Sequence, residues 1–149
     1  MGYNLYIGEA VVRSDMEDRR ADVVVEVIDG ESLGAPLNST DDHLNRIYPS
    51  YSAWAEFCRN VGLTEVFFAG RNPCPAGVWW KGESGKDYEG LIIQHPGCAA
   101  LTDDHYKAFV VARERYKSEE EYDLKRLDWL VWWTRWAIDN CKYPSFCNS

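Results

Sequence analysis

The run from Leu124 to Cys141, LKRLDWLVWWTRWAIDNC, determines how the rest of the chain is organised. Four of the seven tryptophans lie in it: Trp129, Trp132, Trp133 and Trp136. At about 3.6 residues per turn, spacings of three and four put these rings on one stripe of a helix, the Trp stripe. A second apolar stripe lies on another side of the helix: Leu124, Leu127, Leu130, Val131, Ala137, Ile138 and Cys141. Such a helix is either sandwiched between layers or buried on one side and used for binding on the other.

Burial of the Trp stripe is the better of these two interpretations. Four tryptophans left in water would form an unusually large apolar patch for a monomer. We therefore predict that the stripe is buried within the fold or in a homo-oligomer, and that its helix is the central scaffold. A narrow polar strip lies between the two apolar stripes: Asp128, Arg135, Asp139 and Lys142. Trp132 lies beside this strip, so we expect it to be the one tryptophan of the four that reaches a ligand.

Length, charge and cysteine content narrow the function classes. The chain fits one domain, and we predict a single α+β domain over residues 1–149. The net charge is −8 and no block of Lys and Arg is present, which argues against duplex nucleic acid as a partner. No signal-peptide pattern opens the sequence and no apolar run approaches about 20 residues, so we predict a cytoplasmic protein without a membrane segment. The five cysteines include no C-x-x-C pair, and without an export signal we predict reduced thiols. We also predict no metal site and no cofactor.

Short β-branched segments indicate the strands of a sheet. Asn4–Val12 and Asp22–Ile28 are rich in Val and Ile, and we predict that they pair as an N-terminal antiparallel hairpin. The densely charged link Arg13–Ala21 is expected to be an exposed loop. Thr64–Ala69 is predicted as a third strand that follows a helix, and Leu91–Gln94 as a short fourth strand.

Capping residues predict the first two helices. Ser50 fits an N-cap and Gly62 a C-terminal cap, around a helix at Tyr51–Asn60. Its expected core face is Trp54, Phe57, Cys58 and Val61. Thr102 is predicted to cap a second helix that runs to about Lys117.

The third helix is the Trp-rich one, and we predict that it begins at a capping box of Ser118 and Glu121. The tail after it, CKYPSFCNS, carries two aromatic residues, which is typical of chain packed onto a fold. Together the elements predict an α+β fold. A three- or four-stranded sheet begins with the N-terminal hairpin and is covered by three helices, with the Trp-rich helix last.

Two long loops, Gly30–Pro49 and Gly70–Gly90, combine aromatic and cationic residues. Loops of this length in a small domain are typically functional or disordered. Aromatic rings can stack a base, and Arg or Lys can pair with phosphate. The predicted ligand-binding residues are Arg46, Tyr48, Arg71, Trp79, Trp80, Lys86, His95 and Trp132. The segment GESGK is not a phosphate loop, because Lys86 is followed by Asp87 instead of Ser or Thr.

The best candidates for acid–base or metal chemistry are His95, Asp103, Asp104 and His105. The two aspartates are equally explained as partners of the helix dipole, because they follow the N-cap Thr102. His105 lies on an apolar stripe, where a hydrogen-bonded core histidine is commoner than a ligand. No Ser-His-Asp or Cys-His arrangement is recognisable from spacing. The sequence therefore favours a protein without catalytic residues.

The segments YPSYSAWAEFCRNVGL, HPGCAALTDDHYKAFVVARERY and RLDWLVWWTRWAIDNCKYPSFCNS together span nearly the whole chain. They resemble a family of small proteins that recurs in the genomes of tailed bacteriophages and prophages. The third segment is the most specific of the three. The family brings no catalytic residues to carry over. The resemblance implies a small viral protein that acts in the bacterial host cytoplasm, as an accessory or counter-defence factor and not as part of the virion.

Three functional hypotheses follow. The first is a non-enzymatic protein that binds and sequesters a small nucleotide-like host signalling ligand, with the two long loops as its site. The second is an acidic inhibitor that binds a host defence protein. The third is a small hydrolase or phosphoesterase that uses His95, Asp104 and His105. The plain alternative for the loops, in which 30–49 is a solvated connector and Trp79 and Trp80 only cap the sheet, stays open.

Overall fold

The strand at the C-terminal end lies in the middle of the sheet, directly after the Trp-rich helix. The computed structural model describes residues 1–12, 23–69, 71–73, 87–92 and 97–149. The strands are β1 (Leu5–Val12), β2 (Val23–Val25), β3 (Arg46–Ile47), β4 (Arg71–Pro73), β5 (Asp87–Glu89), β6 (Gly97–Ala100) and β7 (Pro144–Asn148). The helices are α1 (Tyr51–Val61), α2 (Asp103–Arg115) and α3 (Glu121–Asn140).

The main sheet is antiparallel, with the strand order β2-β1-β7-β6. The short strand β3 also pairs with β1, on the side of β1 opposite to β7. β4 and β5 form a separate two-stranded ladder. The predicted N-terminal hairpin is confirmed, because β2 pairs antiparallel with β1 with Ala10 opposite Val25. The α+β class and the three helices are confirmed as well. The tail that the sequence predicts to be packed onto the fold is β7, which pairs with both β1 and β6.

Helix α3 is buried on both of its apolar stripes. Trp129 and Trp133 of the Trp stripe have no exposed surface, and neither do Leu127 and Leu130 of the second stripe. The helix packs against β1, β7 and α2. The Trp129 indole N–H also donates to the carbonyl of Leu44, at 3.2 Å. The prediction of a central scaffold is therefore confirmed. None of the helices in the described ranges is both long and apolar enough to cross a bilayer.

The prediction of a third strand at Thr64–Ala69 is wrong. This segment is a π-helical turn at Glu65–Ala69 that directly follows α1. Phe67 is fully buried there and packs against Trp54 with ring centroids 5.1 Å apart. Short apolar runs fit a buried strand and a buried helical turn equally well, so periodicity could not separate the two.

The expected fourth strand is displaced along the chain. Leu91 and Ile92 form no strand; their backbone N–H groups donate to the carbonyls of Val66 and Phe67, both at 2.9 Å. Residues 93–96 lie outside the described ranges. The strand that joins the sheet is β6, which consists of Gly, Cys and Ala. Because the β-propensity of this segment is low, the sequence did not predict a strand there. Its position comes from pairing with β7.

Two of the three predicted N-caps are confirmed. The Ser50 hydroxyl accepts a hydrogen bond from the N–H of Ala53 at 3.1 Å, and Gly62 ends α1 with φ +76°. The Thr102 hydroxyl caps α2. The predicted capping box at Ser118 is wrong, because α3 is capped by Glu120 without a side-chain hydrogen bond. At this corner, α2 and α3 are linked by a hydrogen bond from the hydroxyl of Tyr116 to the carboxylate of Asp123. No local sequence motif predicts this contact.

The prediction of reduced thiols is wrong for two of the cysteines. Cys98 of β6 and Cys147 of β7 form a disulfide. They are 49 residues apart, and the strand register places them directly opposite each other. Sequence spacing cannot show a pair that only strand pairing brings together. Cys58 and Cys141 are free.

Two buried asparagines hold residues 30–47 in place. The Asn45 amide group donates to the carbonyls of Ile7 and Glu26, both at 2.9 Å, and its oxygen accepts from the N–H of Ile28. The Asn38 amide group donates to Asp42 and to the carbonyls of Leu44 and Arg46. Buried amides that satisfy several backbone groups rigidify a segment without regular structure. This part of the long loop is therefore a fixed support for Arg46.

We expect Glu9→Ala to lower the free energy of unfolding by about 1–2 kcal/mol. The Glu9 carboxylate accepts from the backbone N–H groups of Lys142, at 2.9 Å, and Tyr143. It thereby fixes the turn between α3 and β7. Urea denaturation measures the change. The control is Glu26→Ala, at an exposed position, and an equal loss in both variants would contradict the role of Glu9.

Candidate ligand-binding site

A row of four side chains crosses the sheet on the face that points away from the helices. Leu5 and Ile47 are fully buried in the core shared with the helices. Successive side chains of a strand point to opposite faces, so their neighbours Tyr6 and Arg46 lie on the other face. The register pairs Arg46 with Tyr6, Tyr6 with Cys147, and Cys147 with Cys98. We call Arg46, Tyr6, Cys147 and Cys98 the outer row.

The disulfide forms the apolar end of the outer row. Cys98 and Cys147 are buried together with Val25, and Tyr6 packs against this cluster. Gly8 permits this packing, because a Cβ atom at that position would lie only 3.0 Å from the Cγ1 atom of Val25. The Tyr6 side chain therefore rests on a fixed apolar support.

Arg46 forms the cationic end of the row. Its guanidinium carbon lies 5.1 Å from the centroid of the Tyr48 ring. Its Nε atom is buried and has no hydrogen-bond partner among the residues that the structure describes. The two terminal nitrogens are neither buried nor hydrogen-bonded within the described part of the chain. The chain has 24 acidic residues against 16 basic ones, yet none of the described carboxylates forms a salt bridge with Arg46. The arrangement offers an anion a cation that is already backed by an aromatic ring.

The structure brings together two of the predicted ligand-binding residues, Arg46 and Tyr48. Trp132 is half-buried on α3, where it packs edge-to-face on Trp133 with centroids 4.8 Å apart. In the described ranges, no ring or cation–π contact joins it to Arg46 or Tyr48. The backbone of Arg71 pairs with Glu89 in the β4–β5 ladder. The other four predicted residues, Trp79, Trp80, Lys86 and His95, lie outside the described residues and stay predictions.

The described residues of the candidate acid–base cluster have structural roles at the start of α2. The backbone N–H of Thr102 donates to Nδ1 of His105 at 3.0 Å, which makes this buried histidine part of the α2 capping box. Burial lowers the pKa of His105 to about 4, against a smaller opposing effect of Asp104. Asp103 and Asp104 are exposed in the first turn, where the helix dipole favours them. No group of His, Cys, Asp and Glu side chains among the described residues could hold a metal ion.

Neither of the free cysteines in the described ranges, Cys58 and Cys141, is suited to act as a nucleophile. Burial raises the pKa of the Cys58 thiol far above its ordinary value. Burial, with a smaller effect of Glu9, raises the pKa of the Cys141 thiol to about 11. The thiolate is the reactive form, so both side chains are inert near neutral pH.

Sequence reasoning missed Tyr6. The alternation along β1 already placed Tyr6 on the face opposite Leu5 and Ile7. What the sequence did not reveal is that β3 would lie beside β1 and bring Arg46 into register with Tyr6. No family model, curated protein or solved structure matches the chain.

Proposed function

We propose that the protein binds a small nucleotide-like ligand without transforming it, with Arg46 as the anion contact and Tyr48 and Tyr6 beside it. The observation that carries the proposal is the Arg46 guanidinium, which lies over the Tyr48 ring and has no ion-pair partner in the described ranges. A planar guanidinium can bind phosphate through two parallel hydrogen bonds. Stacking a base on an aromatic side chain contributes about 1–3 kcal/mol. A nucleotide supplies both a phosphate and a planar base.

The support around Arg46 favours binding because the cation is held before the ligand arrives. Its carbonyl accepts a hydrogen bond from the buried Asn38 at 3.2 Å, and its Nε atom is enclosed by protein. A side chain that is already ordered loses less conformational entropy on binding. Tyr48 is 46% exposed and therefore has surface left for a ligand ring.

The biological setting belongs to the same proposal. A protein like those of tailed bacteriophages, acting in the bacterial cytoplasm, would counter a host defence by sequestering a signalling nucleotide, and sequestration needs no catalytic residue. Further contacts are assigned to predicted residues whose side chains are outside the described set: Arg71, Trp79, Trp80, Lys86 and His95.

Isothermal titration calorimetry against cyclic dinucleotides and ADP-ribose derivatives tests the proposal. We expect saturable heat for at least one ligand, and an affinity lower by about tenfold or more for Arg46→Gln, because the charge-assisted bonds are lost. Tyr48→Ala is expected to weaken binding through lost stacking. The matched control is Arg115→Gln, an exposed arginine at the end of α2 that should bind like the unaltered protein. Zero heat across the panel, or unchanged binding by Arg46→Gln, overturns the proposal.

A further inference from the structure

A second arginine lies in a slot between two aromatic rings, on the helical layer of the fold. The guanidinium carbon of Arg126 on α3 is 5.8 Å from the centroid of Phe57 on α1 and 5.9 Å from that of Tyr122. Phe57 is 1% exposed and closes the inner side of the slot. Tyr122, which is 58% exposed, forms its outer wall.

No ion pair among the described residues neutralises the charge of Arg126. Its Nε atom is buried and has no hydrogen-bond partner in the same ranges. Its terminal nitrogens are not buried, and they have no hydrogen bond to any residue that the structure describes. Burial lowers the pKa of Arg126, with smaller opposing effects of Asp123 and Tyr122, so the protein bears a desolvation cost for this cation. An anion bound at the open edge of the guanidinium would offset that cost.

The acidic side chain that acts most strongly on Arg126, Asp123, has its hydrogen bonds to other residues. Asp123 is buried, and its Oδ2 atom accepts hydrogen bonds from the hydroxyl of Tyr116 at 2.6 Å and from the amide of Asn60 at 3.4 Å. It forms no salt bridge with Arg126 among the described ion pairs. Asp123 therefore acts on Arg126 through its charge and not through a hydrogen bond or ion pair within the described residues.

The charges around the slot define which anion fits. Asp123 is buried on the same helix, and its carboxylate is the acidic group whose charge acts on Arg126. A phosphate dianion would meet repulsion from this carboxylate, whereas a single negative charge meets about half as much. The exposed ring of Tyr122 offers a face to a planar apolar group. We propose that Arg126, Tyr122 and Phe57 form a second binding site, for a monoanionic carboxylate carried by a planar apolar group.

This site is independent of the outer row. Arg126 belongs to the α1–α3 layer, whereas Arg46 lies on the opposite face of the sheet. Three probes separate the effects of charge, ring and dianion in a single experiment. Benzoate carries one negative charge and a planar ring, acetate carries the charge without the ring, and inorganic phosphate supplies a dianion.

Nuclear magnetic resonance of the arginine Nε–H groups provides the direct measurement. The Nε–H of Arg126 is shielded from water, so its signal should be observable. We expect benzoate to shift this signal saturably, acetate to bind about tenfold more weakly, and phosphate to give no saturable shift. Arg126→Gln should weaken benzoate binding by about tenfold or more, followed on the Tyr122 ring signals. Tyr122→Ala, at an exposed position, should remove the preference for benzoate over acetate.

The same titration with Arg46→Gln separates this site from the proposed nucleotide function. Benzoate binding at Arg126 should be unchanged in that variant, whatever the outcome for nucleotides. An unaltered thermal midpoint of Arg126→Gln shows that the variant is folded; if it is not, Tyr122→Ala carries the test. The inference is overturned if no probe shifts the Arg126 signal saturably, if phosphate binds as tightly as benzoate, or if neither variant changes benzoate binding.

Discussion

Reduction of the Cys98–Cys147 disulfide is expected to lower the free energy of unfolding by up to about 4 kcal/mol, the largest single effect that we expect from the described contacts. The bond closes a loop across a sequence separation of 49 residues. Opening the disulfide restores conformational entropy to the unfolded chain. The resulting loss of folding stability is larger for a longer loop. It also removes the covalent tie between β6, an edge strand, and β7, the strand beside it.

Denaturation in urea with and without a dithiol reductant measures this effect. The control is the double variant Cys98→Ala with Cys147→Ala, in which the reductant should change nothing. Alkylation mapped by mass spectrometry checks the pairing itself. The Cys98 and Cys147 peptides should resist alkylation in the unfolded, unreduced protein and take up the reagent after reduction. Their alkylation before reduction would show that the disulfide is absent.

Acidification from about pH 8 to about pH 5 is expected to cost about 2 kcal/mol of stability through His105 alone, rising to about 3 kcal/mol at lower pH. Burial lowers the pKa of His105 from 6.5 to about 4. Its Nδ1 atom accepts a hydrogen bond from the backbone N–H of Thr102. A protonated Nδ1 would itself be a donor facing that N–H, so the hydrogen bond would be lost. The unfolded chain therefore binds more protons in this window. Stability is complete above the unfolded pKa and is lost as the pH falls towards the folded pKa.

Carboxylates titrate in the same window, so the informative quantity is a difference between two proteins. His105→Gln is the matched control, because Gln at this position of a capping box can accept the same hydrogen bond and does not titrate. Urea denaturation across the pH range should show a steeper loss in the unaltered protein than in His105→Gln. Parallel pH profiles of the two proteins would contradict the role given to the histidine.

Local signals in the sequence identified the helices correctly where the deciding contact is itself local. Ser50 and Thr102 cap their helices through hydrogen bonds that span three residues, and such bonds form in any surrounding. Ser118 carries the same signal, but the corner between α2 and α3 is fixed by the long-range engagement of Asp123. A capping rule that considers only neighbouring residues in the sequence cannot predict that contact.

The strands were harder to predict, because their existence depends on a partner. β1 and β2 are rich in β-branched residues and could be recognised by themselves. β6 reads Gly-Cys-Ala-Ala, and only its pairing with β7 makes it a strand. The apolar run at Glu65–Ala69 lies next to β4 and β5, but it forms a helical turn and joins neither of them as a strand.

The sequence by itself determined that the Trp-rich helix is the scaffold, because two apolar stripes on one helix cannot both face water. It also identified Arg46 and Tyr48 as candidate ligand contacts in one long loop, without indicating that the chain is extended at Arg46. Only the tertiary structure decided what lies beside them. Alternation fixes the face of a side chain but not the strand that will neighbour it, so the outer row of Arg46, Tyr6, Cys147 and Cys98 exists only once four strands have paired.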